Sequence, residues 1–201
     1  MSEFFTFVQL GFRHIVDWEA MDHILFLLAL AAIYRASDWR QTLWVITAFT
    51  VGHSITLALA VTGVLTLPPA LIEFLIPVTI LITAVENLIV ADRRRALWGG
   101  RYRPVFAGVF GLVHGAGFAN YLKSLFVDQV ALPLFGFNVG IELGQIVVLL
   151  AAFSVLFALD RVLSRIRLPA GAPAPLRLRV MMVSSVVAVV AARWAVARAP
   201  G

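Results

Sequence analysis

Residues 41–72 contain no Asp, Glu, Lys or Arg, and neither do residues 143–159. About 20 consecutive apolar residues make a helix that crosses the ~30 Å hydrocarbon core of a bilayer. Within that layer every backbone N–H and C=O has to be bonded inside the protein, so such runs fold as helices. The composition points the same way: 61% of the 201 residues are hydrophobic and only 13% are charged, against about a quarter charged in a typical soluble domain. The sequence therefore predicts an all-α membrane protein, with one polytopic domain over residues 1–201. Six spans are expected, near 21–35, 41–65, 70–91, 104–125, 132–160 and 178–197. Residues 1–20 are expected as a short outer interfacial segment. They lack the basic start, apolar centre and small-residue cleavage site of a signal peptide. Residues 21–165 then form a five-helix core, 166–177 a Pro/Ala/Gly linker, and 178–201 the last helix.

The basic residues orient these spans. Arg35, Arg40, Arg93, Arg94, Arg95, Arg101, Arg103, Arg161, Arg165, Arg167, Arg177 and Arg179 fall on one side. Only Arg13, Lys123, Arg193 and Arg198 fall on the other. The positive-inside rule makes the richer side cytoplasmic and puts both termini outside, as in a multi-pass protein of a bacterial inner membrane. The net charge of +5 is thereby accounted for by the lipid bilayer as partner, without nucleic acid. Trp39, Trp98 and Trp194 fall near span ends, where interfacial anchors sit. Whether the chain forms a homo-oligomer is left open.

Each histidine stands in a polar patch: "RHIVDWEAMDH" (His14, His23), "TAFTVGHSIT" (His53) and "GLVHGAGFA" (His114). At 1.5 Å per residue, His23 lies ~18 Å from the level of Arg35, His53 ~20 Å from Arg40 and His114 ~17 Å from Arg103. Three spans thus carry an imidazole to nearly one depth, with Asp22 beside them. Glu142 falls ~28 Å from Arg161, near the outer face, and Glu86 ~10 Å from Arg93, in the inner half. Ionisable groups at such depths cost roughly 2.5–3.5 kcal/mol each on insertion scales and are functional candidates by default.

Asn138, Glu142 and Gln145 share one face of the fifth span, the kind of stripe that lines a bundle interior or a water-filled path. Beside them Gly136, Gly140 and Gly144 form a small-residue ridge, and Gly111 and Gly115 another in the fourth span. The two spans are expected to pack closely through them. Without cysteine, imidazole and carboxylate together suit divalent nickel, cobalt, zinc or iron(II). The expected metal set is His23, His53, His114, Asp22 and Glu142, with His14 either capturing metal at the outer mouth or resting at the interface. Glu86, Asn138 and Gln145 are expected to line a pathway, with Glu86 as an inner relay. A permease is one reading of this set. An intramembrane zinc-type hydrolase is another, since three histidines and an open position also activate water. A metal-sensing or assembly subunit is a third.

The stretches "HIVDWEAMDHILFLLAL", "TAFTVGHSITLAL", "VENL", "GLVHGAGFA" and "FNVGIELGQ" resemble the HupE/UreJ family of membrane proteins associated with nickel hydrogenases and ureases. The resemblance runs from about residue 11 to 150. It implies a nickel or cobalt permease, with the metal as cargo or bound ion and nickel-enzyme maturation proteins as partners. By motif it gives weight to His14, Asp22, His23, His53, His114 and Glu142. The spacing His14-x7-Asp22-His23 is longer than the H-x5-D-H of the HupE branch. The single His114 stands where that branch pairs two histidines. The chain thus looks like a broader relative in the same superfamily.

Overall fold

The computed structural model describes residues 3–90, 100–125, 131–166 and 173–200. Arg93, Arg94, Arg95, Arg167 and Trp98, with residues 167–172 of the expected linker 166–177, lie outside them. Among the described residues the protein is all-helical. Its helices are α1 (Glu3–Val16), α2 (Met21–Ala32), α3 (Trp39–Val61), α4 (Pro69–Val90), α5 (Arg103–Leu125), α6 (Ala131–Arg165) and α7 (Pro175–Ala197).

Of the six expected spans, four meet the length and apolarity of a membrane crossing among the described residues: α3, α4, α6 and α7. The expected span 21–35 is instead the 12-residue α2, which covers only ~18 Å at 1.5 Å per residue. The expected span 104–125 is the 23-residue α5, outside those four. Most of segment 1–20 is a helix, α1, joined to α2 by a single 3-10 turn at Trp18–Ala20. Two short helices therefore stand where the sequence suggested one surface segment and one span.

The helices associate mainly as three pairs: α3 with α5, α1 with α6, and α4 with α7. Glycine decides two of these. A Cβ on Gly52 would collide with the Gly108 carbonyl, and one on Gly115 with the backbone of His53. Likewise, a Cβ on Gly11 would strike the Phe137 carbonyl and one on Gly140 the Val8 carbonyl. Backbones approach this closely in membrane proteins because lipid tails are as apolar as leucine, so packing must supply the attraction. The expected pairing of the two glycine ridges is corrected: Gly111 and Gly115 seat α3, whereas Gly136, Gly140 and Gly144 seat α1. Phe4 lies against Gly136, Val8 against Gly140 and Ile15 against Gly144, so α1 and α6 run parallel.

α2 threads between these pairs, touching α4, α6 and α7, and most of its residues are buried. A short buried helix leaves carbonyls without intrahelical partners at its end. Here they are met from other helices. Asn87 Nδ2 donates to the Ala29 carbonyl at 2.7 Å. Arg179 Nη2 donates to the carbonyls of Ala32 at 3.0 Å and Tyr34 at 2.8 Å. The guanidinium also pairs with Asp160 at 2.5 Å, and its charge suits the negative end of the helix dipole. At the other end of α2, Arg198 pairs with Asp22 at 3.1 Å. α7 thus clamps α2 at both ends.

Candidate metal-binding site

The 3-10 turn between α1 and α2 sets the site. It ends one helix just after His14 and begins the next just before His23, so residues nine apart in sequence face each other, with ring centroids 4.7 Å apart. The α3·α5 pair supplies the other two imidazoles. His53 lies 6.2 Å from both His14 and His23, and His114 lies 5.2 Å from His23, centroid to centroid. His14, His23 and His53 each offer a nitrogen such that all three lie within 4.8 Å of one another. His23, His53 and His114 are buried, and His14 is half-buried.

Five ring nitrogens here are buried without a hydrogen-bond partner among the described residues: His14 Nε2, His23 Nε2, both nitrogens of His53, and His114 Nδ1. An unmet buried polar atom costs about 1–3 kcal/mol. A cluster of them is therefore an expensive feature unless a ligand answers it. Imidazole nitrogens gathered without any thiol are a donor set for nickel, cobalt or zinc.

A cavity of about 740 Å³ opens onto the cluster. His14 and His23 form its floor, and its wall carries Arg13, Asp17, Asp22, Glu73 and Arg198. Asp22 therefore sits in the mouth. One oxygen is held by Arg198, and the other is buried without a hydrogen-bond partner among the described residues. Away from the mouth, one helical turn on from His23 and one back from His53, Phe26 and Phe49 close the site with rings 4.9 Å apart. Both are about 1% exposed. They touch His114 at 5.4 and 5.2 Å.

The remaining expected residues are placed elsewhere. Gln145 is buried and accepts a hydrogen bond from Thr50 at 3.0 Å, which ties α6 to α3 one turn from His53. Asn138 keeps a buried side-chain oxygen without a partner among the described residues. Glu142 is half-buried and does not line the cavity mouth. Glu86 departs from the open relay expected of it, because Tyr102 and Arg103 both donate to its carboxylate. Arg103 also bonds Asn87 at 2.7 Å. Arg13, Asp17, Glu73 and Arg198 escaped sequence reasoning as mouth residues. The outward position of Arg13 and Arg198, and the nearness of Asp17 to His14 in the sequence, hinted at it.

An all-helical membrane protein with a buried histidine cluster beneath an open, charged mouth is the class that this geometry defines. Residues 1–198 match the family model described as HupE / UreJ protein. The chain belongs to the HupE/UreJ family. No match to a curated protein or to a solved structure was found.

Proposed function

We propose that the protein is a permease for divalent transition-metal ions of the nickel and cobalt type, with the ion as cargo. The observation that carries this reading is the convergence of His14, His23 and His53, whose ligand atoms lie within 4.8 Å of one another. An entering ion would satisfy nitrogens that otherwise stay unpaired in a buried site. The donors are uncharged imidazoles, and the acids stand back in the mouth. The ion's charge is then only partly compensated, which suits a site that must release what it binds.

Two further features support transport. Carriers commonly place their sites at breaks in membrane helices near the midplane, and the α1–α2 break adjoins His14 and His23. The site is open toward Asp17, Asp22 and Glu73 and closed beneath by Phe26 and Phe49. A rocking motion that parts the two phenylalanines while narrowing the mouth would give alternating access. In this reading the mouth faces outward, both termini are outside a bacterial inner membrane, and the potential draws cations in with about 2.3 kcal/mol per charge per 100 mV. Asp22 draws the ion in at the mouth, His114 adjoins the site, and Asn138, Glu142 and Gln145 flank it on α6. Maturation proteins of nickel enzymes would receive the ion.

The test is purified protein in sealed vesicles loaded with a metal-sensitive dye. Added nickel(II) or cobalt(II) should reach the dye with the wild type and not with His53→Ala. Metal bound without flux would overturn the permease and favour an enzyme or a sensor. No metal bound would overturn the cation site.

A further inference from the structure

Thr79 belongs to the buried stripe of α4 that includes Ile76, Thr83 and Asn87. It contacts His114 of α5. Its hydroxyl oxygen lies 2.7 Å from the Ile76 carbonyl oxygen and 3.0 Å from His114 Nε2. A threonine hydroxyl has one proton and two lone pairs. The carbonyl can only accept, so the 2.7 Å contact uses the proton. A lone pair is what remains to face the ring, and Nε2 must be the donor.

A neutral imidazole carries hydrogen on one nitrogen only. With Nε2 protonated, Nδ1 holds the free lone pair. That Nδ1 is buried and has no hydrogen-bond partner among the described residues, and its ring lies 5.2 Å from that of His23. We propose that Thr79 is a positioning residue. It holds His114 in the Nε2–H tautomer and so leaves Nδ1 free to join, as a fourth nitrogen, an ion at His14, His23 and His53, whose own ligand atoms lie within 4.8 Å of one another without it. This rests on the histidine cluster being a cation site. A fourth imidazole biases the site further toward nickel(II) and cobalt(II) and away from magnesium or calcium, which prefer oxygen. A residue that orients a ligating histidine through its other nitrogen typically changes metal affinity 10–100-fold when removed.

Two measurements on the full chain test this. In metal-free, ¹⁵N-labelled protein, long-range ¹H–¹⁵N correlation should show the His114 ring, identified by its loss in His114→Gln, protonated at Nε2. Thr79→Val, which keeps the shape and removes the hydroxyl, should lose that preference, and Thr79→Ser should restore it. Titration with cobalt(II) chloride should then give binding about 10–100-fold weaker for Thr79→Val, with Thr79→Ser within about threefold of wild type. Thr79→Ala serves if the Val variant does not fold. A wild-type ring protonated at Nδ1, or a Val variant with unchanged cobalt affinity, would overturn the proposal. A wild type that binds no cobalt would overturn the cation site beneath it. That failure is recognisable because the metal-free ring spectrum reports the Thr79 contact without any ion.

Discussion

His14 and Glu86 keep different company in the fold from what their positions along the chain suggested. His14 looked peripheral because counting residues from Arg35 places it beyond the hydrocarbon core. In the fold its ring sits 4.7 Å from that of His23, because α1 runs beside α6 and delivers it there. Removing it should weaken cobalt(II) binding by at least about tenfold, since even supporting groups around a metal have effects of that size. Glu86 stood at a plausible inner depth, yet Tyr102 and Arg103 occupy its carboxylate. Glu86→Gln should leave cobalt affinity within about threefold and destabilise the protein by about 1–3 kcal/mol, because Arg103 is buried and loses its charged partner. Isothermal titration and thermal melting of the two variants separate these outcomes. Ligand affected but fold intact is expected for His14→Ala, and the reverse for Glu86→Gln.

Among the elements, the α3·α5 pair holds His53 and His114 in reach of α2, and glycine makes the pairing possible. Gly52 and Gly108 belong to the same contact but are not equivalent. A Cβ on Gly52 would overlap the Gly108 carbonyl, whereas one on Gly108 finds its nearest atom, the Ala48 carbonyl oxygen, at 3.4 Å. Gly52→Ala should therefore cost about 1–3 kcal/mol through forced backbone shifts. Gly108→Ala should be neutral or slightly stabilising, because alanine is favoured over glycine in a helix by up to about 1 kcal/mol. Circular-dichroism melts in detergent would show the asymmetry, and equal destabilisation by both would refute the pairing. The glycines were legible in the sequence as packing residues. Their partners were not, since a small-residue ridge fits any helix that offers one.

At the scale of the whole molecule, a mouth open on one face and the packed rings of Phe26 and Phe49 beyond the histidines predict one-sided access. The chain has no cysteine, so single cysteines can be introduced without background. Ala20 lines the mouth, and Gln41 is exposed at the start of α3, at the opposite end of the bundle. In sealed vesicles, Ala20→Cys should react with an impermeant thiol reagent from one side only and be protected by cobalt(II). Gln41→Cys should react from the other side, unprotected. Labelling of both from one side would contradict the arrangement of mouth and floor.

The membrane class, the absence of thiols and the motifs around the four histidines were settled by residue types along the chain. Apolar runs and ligand chemistry are local properties that need no knowledge of neighbours. The depth arithmetic also led to the expectation that His23, His53 and His114 lie at one level, because helical rise is constant; in the fold the ring of His23 lies 6.2 Å from that of His53 and 5.2 Å from that of His114. Three things were decided only by the tertiary structure: the approach of His14 to His23, the engagement of Glu86 in an ion pair, and the 12-residue length of α2. Each depends on which helices touch and in what register. That is a matter of glycine contacts and buried arginine clamps between residues far apart in sequence, which no periodicity along a single helix encodes.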